Sequence, residues 1–444
     1  MITKTENSSF RDPSGFIFYQ GGICYRQINP VYKQNYEYFL ESGLYEKLTN
    51  EGLLIAHKTV DANHFPPSSG YRTIRPESIP FVSYPYEWCF SQFKNAALVT
   101  LTILRRALSH DMILKDASAY NIQFYQGQPV LIDTLSFEKY QEGKPWVGYK
   151  QFCENFLGPL ALMSYKDIRL GQMLREYING IPLGLVSSLL PKRTYLNFHL
   201  ATHIHLHTRY QKNYAEKATL VSSTKTMGRK SLLGLIYSLE STIEKMHWRP
   251  RKSEWTNYYS ESSHVPKFLE EKIKLVTNYL DILKPDTVWD FGANTGVFSR
   301  IASDRGISTV SMDSDHSCIE KNYLQSWKNG EKNLLPLWVD LNNPSPGIGW
   351  ENYENYKTGM FRVCIFLTFL FPALAQFGMS GRGTEVLGID FDQWQNAVFS
   401  TPFFIWITYF FRITKLYSKF MSFIVVGQTT ANRNGYGMKI GVFH

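Results

Sequence analysis

Short apolar runs broken by glycine and polar pairs dominate the first sixty residues. Residues 15–19 and 23–28 flank Gln20-Gly21-Gly22, a spacing that predicts a β-hairpin on a glycine turn. Aromatic and leucine positions at helical spacing follow over 32–48, and a strand-like run over 52–60. Apolar positions are then dense enough over 87–108 for a mostly buried helix. Residues 149–162, 232–247 and 267–283 each predict a further helix, the last with one apolar face. Beyond 283 the pattern turns to β, with apolar runs closing at Asp290, Asp313 and Asp340. Residues 361–371 form a candidate fourth strand, 400–411 are aromatic without pattern, and the runs 423–426 and 438–443 predict an antiparallel hairpin around a turn at 432–437. The most apolar tract, 363–375, would span only ~20 Å as a helix against ~30 Å of hydrocarbon, so no membrane span is expected.

The run ending at Asp290 carries the sharpest chemistry. Gly292 and Gly296 follow it, so a buried strand turns tightly into a helix beginning near Thr295, as in the first crossover of a doubly wound α/β sheet. Glycine permits close backbone approach to a ligand, and helix amides favour a negative group. The spacing is G-x-x-x-G, not the G-x-G-x-x-G of dinucleotide sites. Taken singly, the glycines could cap a tight turn and Asp313 or Asp340 a helix. Together, Asp290, Gly292, Asn294 and Gly296, then Asp313, then Asp340, resemble the class I S-adenosylmethionine-dependent methyltransferases. The resemblance implies that Asp290 lies near the methionine ammonium, that Asp313 holds the ribose hydroxyls and that Asp340 reads the adenine amino group.

A second constellation lies upstream. Asp116, Asn121 after four intervening residues, and Asp133 at a strand end resemble the catalytic core of kinase-like phosphotransferases. The resemblance implies that Asp116 accepts a hydroxyl proton while Asn121 and Asp133 hold magnesium on ATP. Departures are plain: Leu114 and Lys115, with no histidine, stand directly before Asp116, Thr134-Leu135 follows Asp133, and Ile55-Ala56-His57-Lys58 stands after the first helix, which leaves the phosphate-clamping lysine unassigned. As loop residues, Asp116, Asn121 and Asp133 could instead be caps and turn formers.

At 444 residues the chain is long for one core, so two domains are expected. The net charge of +9 concentrates between Arg209 and Lys252, where ten Lys/Arg face three Asp/Glu, a basic linker that leaves nucleic acid open as a partner. Five scattered cysteines without a C-x-x-C pair argue against disulfide and zinc frameworks, and residues 1–13 lack a signal-like apolar region; a cytoplasmic protein is expected. His199, His203 and His207 would share one helical face, more simply a packed face than a metal site.

These readings assemble into an α/β protein: an α+β kinase-like domain over 13–215, a basic helical linker over 216–254, and a Rossmann-like methyltransferase sheet over 255–444, divergent after 350. Over 13–350 the chain resembles two-part proteins that join a kinase-like region to a class I methyltransferase, among them relatives of rhizobial host-specificity nodulation proteins. The resemblance implies S-adenosyl-L-methionine as cofactor and methyl transfer to an unidentified acceptor, with the kinase-like half recognising substrate or scaffolding. A phosphotransferase using Asp116, Asn121 and Asp133 with Mg-ATP, and an inactive binding protein, are the rival expectations.

Overall fold

The computed structural model describes residues 3–5, 12–60, 70–206, 227–250, 265–343, 345, 423–432 and 435–443. Its amino-terminal sheet is antiparallel, in the order β1-β2-β3-β5-β4: β1 (Thr3–Thr5), β2 (Gly15–Gln20), β3 (Ile23–Ile28), β4 (His57–Val60) and β5 (Arg72–Pro76). The expected hairpin is β2–β3, with Gly21 and Gly22 at φ 58° and 80°. The helix expected over 32–48 divides into α1 (Lys33–Glu41) and α2 (Leu44–Asn50), because Gly43 takes φ 76° between them. The strand expected over 52–60 is shorter. Leu53 and Ile55 instead exchange backbone hydrogen bonds with Leu131, which fastens the segment elsewhere.

The central helix α3 (Phe90–Ser109) buries Phe93, Ala96, Ala97, Thr100, Leu101, Leu104, Ala107 and Leu108, a wide stripe at three- and four-residue spacing. Around it lie β6 (Met112–Leu114), the hairpin β7 (Ile122–Tyr125) and β8 (Gln128–Leu131), and β9 (Phe137–Lys139), paired with β6. Helices α4 (Tyr149–Phe152) and α5 (Gly158–Tyr165), continuous through a wider turn, α6 (Leu183–Leu189), α7 (Phe198–Leu200) and α8 (Arg229–Glu244) complete this half.

The carboxy-terminal part runs α9 (Val265–Leu283), β10 (Thr287–Phe291), α10 (Val297–Ser303), β11 (Ser308–Asp313), α11 (His316–Asn329) and β12 (Leu334–Trp338). β10, β11 and β12 are parallel neighbours, so their carboxyl ends share one edge. β13 (Phe423–Asn432) pairs antiparallel with β10 and with β14 (Gly435–Phe443), the hairpin expected from the sequence but with longer strands, since Asn432 and Gly435–Gly437 of the expected turn are paired. A doubly wound sheet would set a parallel strand beside β10. Among the described residues that place belongs to β13, giving a mixed sheet in the order β12-β11-β10-β13-β14. The candidate strand at 361–371 and the aromatic stretch at 400–411 lie outside the described residues.

Side chains of a strand alternate between faces. Ser299 of α10 bonds both Asp290 and Ser311, so that face of the sheet looks at its crossover helix. Trp289 therefore points to the opposite face, where its ring meets Phe81 edge-on at 5.9 Å. Phe291, Val310, Met312 and Leu337 join the same buried cluster as Phe93, Leu101 and Phe156. Gln92 Nε2 donates to the Pro336 carbonyl at 2.9 Å, covering the outer edge of β12. One apolar core thus runs through both halves of the chain. No helix among the described residues is long and apolar enough to cross a membrane.

Candidate functional site

The carboxyl edge of β10–β11–β12 gathers the acids and glycines singled out in the sequence. β10 ends in a turn whose residues Gly292, Asn294 and Gly296 all take positive φ, at 69°, 53° and 81°. Glycine enters that region without strain, and asparagine is among the few other residues that tolerate it. The turn is tied to the neighbouring strand: Ala293 N donates to the Met312 carbonyl at 3.0 Å and Asn294 N to Asp313 Oδ2 at 2.8 Å. Asp315 N donates to Asp313 Oδ1 at 2.8 Å. Burial raises the Asp313 carboxyl above its usual range, and these backbone amides oppose the shift.

Asp290 is wholly buried. Ser299 Oγ donates to its Oδ2 at 2.6 Å, while Oδ1 has no partner among the described residues. Burial pushes its carboxyl up to about 7, against the pull of Ser299 and Lys272. Beneath it the polar chain continues, with Asn322 Nδ2 donating to Ser311 Oγ at 2.8 Å. Asp340, two residues past β12, accepts from Asn342 N at 2.9 Å and Asn342 Nδ2 at 3.2 Å. The structure therefore brings Asp290, Gly292, Asn294, Gly296 and Asp313 together, with Asp340 beyond the end of the edge strand.

Two residues at this edge escaped the sequence reading. His316 stacks on Trp338 with ring centroids 4.7 Å apart and planes 3° from parallel, and Trp338 Nε1 donates to the Ser314 carbonyl at 2.8 Å. Burial holds the His316 imidazole near pKa 4, so it is neutral at pH 7. An indole closing a strand between two acid-ended positions was the available signal.

From the amino-terminal half, Glu87 reaches the segment after Asp340. Its Oε2 accepts from Tyr84 N at 2.9 Å and its Oε1 from Ser345 Oγ at 2.5 Å. Burial pushes this carboxyl up to about 7 from 4.5. A raised folded value means its contribution to stability is full below about pH 4.5 and is lost as pH rises through 7. Glu87→Gln is expected to remove a loss on the order of 2 kcal/mol across that window, read as flatter urea midpoints between pH 5 and 8. An unchanged slope would rule this out.

The upstream trio sits where the sequence placed it, in the loop between β6 and β7 and just after β8. Asp116 Oδ1 accepts from Ser118 N at 3.0 Å and Gln151 Nε2 at 2.8 Å. Asn121 receives Ile132 N on its backbone carbonyl at 2.8 Å, and its Nδ2 has no partner among the described residues. Asp133 is already satisfied: Leu135 N and Ser136 Oγ donate to it at 3.0 and 2.8 Å, and Arg26 pairs with it at 2.7 Å. Arg26 also holds Asp12, at 2.9 Å. A guanidinium thus stands where the resemblance expects a magnesium ion, which needs carboxylate oxygens free to coordinate it. As arranged, these residues do not fit the metal. Lys58 is exposed on β4, and Lys115 Nζ donates to Ser14 Oγ at 3.1 Å.

The histidine face is structural where described. His199 Nδ1 and His203 Nε2 share Ser238 Oγ at 3.2 and 3.0 Å, and His203 Nδ1 meets Tyr149 Oη at 2.8 Å. His207 lies outside the described residues, among which no cluster of three or more His, Cys, Asp or Glu could hold a metal.

No known family profile matches the chain. The solved structure of vaccinia related kinase 3 aligns with 54% of this chain and 86% of its own at 12% identity and a TM-score of 0.28, a likeness too slight to assign a fold. The nodulation protein NoeA of Rhizobium meliloti (strain 1021) is 30% identical over 353 residues, covering 78% of this chain and 74% of its own. On that identity and span, the chain belongs to the family of the nodulation protein NoeA.

Proposed function

We propose that this chain binds S-adenosylmethionine at the carboxyl edge of β10–β11–β12 and transfers its methyl group to an acceptor, with a kinase-like amino-terminal half that recognises substrate or scaffolds the sheet. The observation that carries the reading is the left-handed turn over Gly292, Asn294 and Gly296, fastened to Asp313 at the end of the adjacent parallel strand. The edge outside the strand ends is the usual ligand position in sheets of this kind. A carboxylate offers about four acceptor positions, so the backbone amides of Asn294, Ser314 and Asp315 still leave Asp313 room for a ribose hydroxyl. Asp290 Oδ1 supplies a buried acceptor under the turn, suited to a cationic group. Asp340 accepts from its own loop and lies at the same edge.

The sulfonium methyl is electrophilic as bound. The protein's work is therefore to align the acceptor behind it and keep water away. A base is required only if the acceptor carries a proton.

Calorimetry tests this directly. S-adenosylhomocysteine is expected to bind the full chain, and Asp313→Ala to weaken binding about a hundredfold, ~3 kcal/mol. Undetectable binding to the wild type would sink the proposal and favour a non-catalytic binding protein. The phosphotransferase reading is the weaker one, since Arg26 already occupies Asp133. Mg-ATP is expected to give no heat in the same experiment.

A further inference from the structure

We infer that the β7–β8 hairpin of the amino-terminal half holds the Gly296 turn in shape through Glu331 and Arg300, and so sets the affinity of the proposed S-adenosylmethionine site. The inference rests on that reading of the turn. It starts at the hairpin tip, where Gln126 and Gly127 take φ 50° and 76°. A Cβ on Gly127 would fall inside contact distance of the Glu331 carbonyl oxygen, so the tip is seated directly on the loop between α11 and β12. The hairpin is also held laterally, because Phe124 of β7 packs edge-on against Tyr323 of α11 at 6.0 Å.

Glu331 passes the contact on. Its Oε1 accepts from Arg300 Nε at 3.0 Å and from Asn329 Nδ2 at 3.0 Å, and the Arg300 and Glu331 side chains are each 14% exposed. The other edge of the same guanidinium faces the turn. Arg300 Nη1 donates to the carbonyls of Thr295 and Gly296 at 2.7 and 3.2 Å, and Nη2 to that of Asn322 at 3.3 Å. The Thr295 and Gly296 carbonyls belong to the left-handed turn that opens α10, and Gly296 O also takes Arg300 N at 3.1 Å, so backbone and guanidinium of Arg300 together fix the turn, while Nη2 ties it to α11. A guanidinium is a rigid planar fork, so displacing Glu331 tilts the donors that brace the turn. Arg300 and Glu331 are positioning residues, since neither is placed to touch the cofactor.

The hairpin that reaches this loop is also the one that joins Asn121 to Asp133. What binds the amino-terminal half and moves that hairpin therefore acts on the cofactor turn, and by linkage the cofactor acts back on the hairpin.

The test is calorimetry with S-adenosylhomocysteine on the full chain. Gly127→Val is expected to weaken binding about tenfold, and Arg300→Lys by a similar factor. The double variant is expected to bind no worse than either single one, because both break one connection. Gly21→Val is the control: its φ is 58° and nothing lies within 4 Å, so it carries the backbone strain without the contact and should bind as the wild type does. Where valine at 127 disrupts folding, Gly127→Ala makes the same collision in milder form. A folded Gly127 variant with wild-type affinity, or additive losses in the double variant, overturns the inference while leaving the site itself intact. A wild type that binds no S-adenosylhomocysteine overturns the site and this inference with it.

Discussion

Glu320→Ala is expected to cost about 3 kcal/mol of stability and to weaken the join between the two halves of the chain. Glu320 lies on α11, 2% exposed, yet its partner is the first turn of α3, whose Ser91 N donates to Oε2 at 3.1 Å and whose Ser91 Oγ donates to Oε1. A side chain 229 residues away thus satisfies an orphan amide at a helix start, work normally done by a local cap. Alanine leaves that amide and the hydroxyl, both at a half-buried helix start, without this acceptor. Glutamine keeps an acceptor and drops the charge, so Glu320→Gln should lose much less. Burial raises the Glu320 carboxyl, so its contribution is full below the ordinary carboxylate range and fades as pH climbs through the raised value. The glutamine variant should therefore lose its part of that pH dependence. Urea unfolding at pH 5 and pH 8 reads both effects, and an alanine variant as stable as the wild type would refute the capping role.

Gly296→Val is expected to abolish S-adenosylhomocysteine binding, a loss of about a hundredfold or more, ~3 kcal/mol. A Cβ there would stand 2.5 and 2.6 Å from the Asn322 amide atoms and 2.8 Å from Arg300 Nη1. The position also takes φ 81°, which costs a branched residue about 1–3 kcal/mol. Gly306 shares φ 81° but has nothing within 4 Å, so Gly306→Val separates strain from collision. Binding retained at 296 and lost at 306 would contradict the assignment of the turn.

The elements legible in the sequence were those written in local periodicity and turn chemistry. The β2–β3 hairpin, the stripe of α3, the three acid-ended parallel strands and the β13–β14 hairpin fall where their patterns put them. Gly43 could have been read as a break and was not, because the apolar spacing runs on across it. The strand over 52–60 failed for another reason: Leu53 and Ile55 are claimed by Leu131, a partner far along the chain. The candidate site divides in the same way. The acids and glycines of the turn were visible as residue types at strand ends. The Arg26 ion pair on Asp133, the Glu87 contact with Ser345 and the stack of His316 on Trp338 were not, since each joins residues that no helical or β period relates.

The cap that Glu320 places on α3 also orders events during synthesis. With 229 residues between Ser91 and its acceptor, and translation at about 5–20 residues per second, the helix start waits roughly 10–50 s for its partner to emerge. During that interval the nascent amino-terminal half exposes Phe81 and Gln92, which the finished chain covers with β10 and β12. Such a surface invites holdase chaperones on the ribosome, and slower translation would lengthen its exposure.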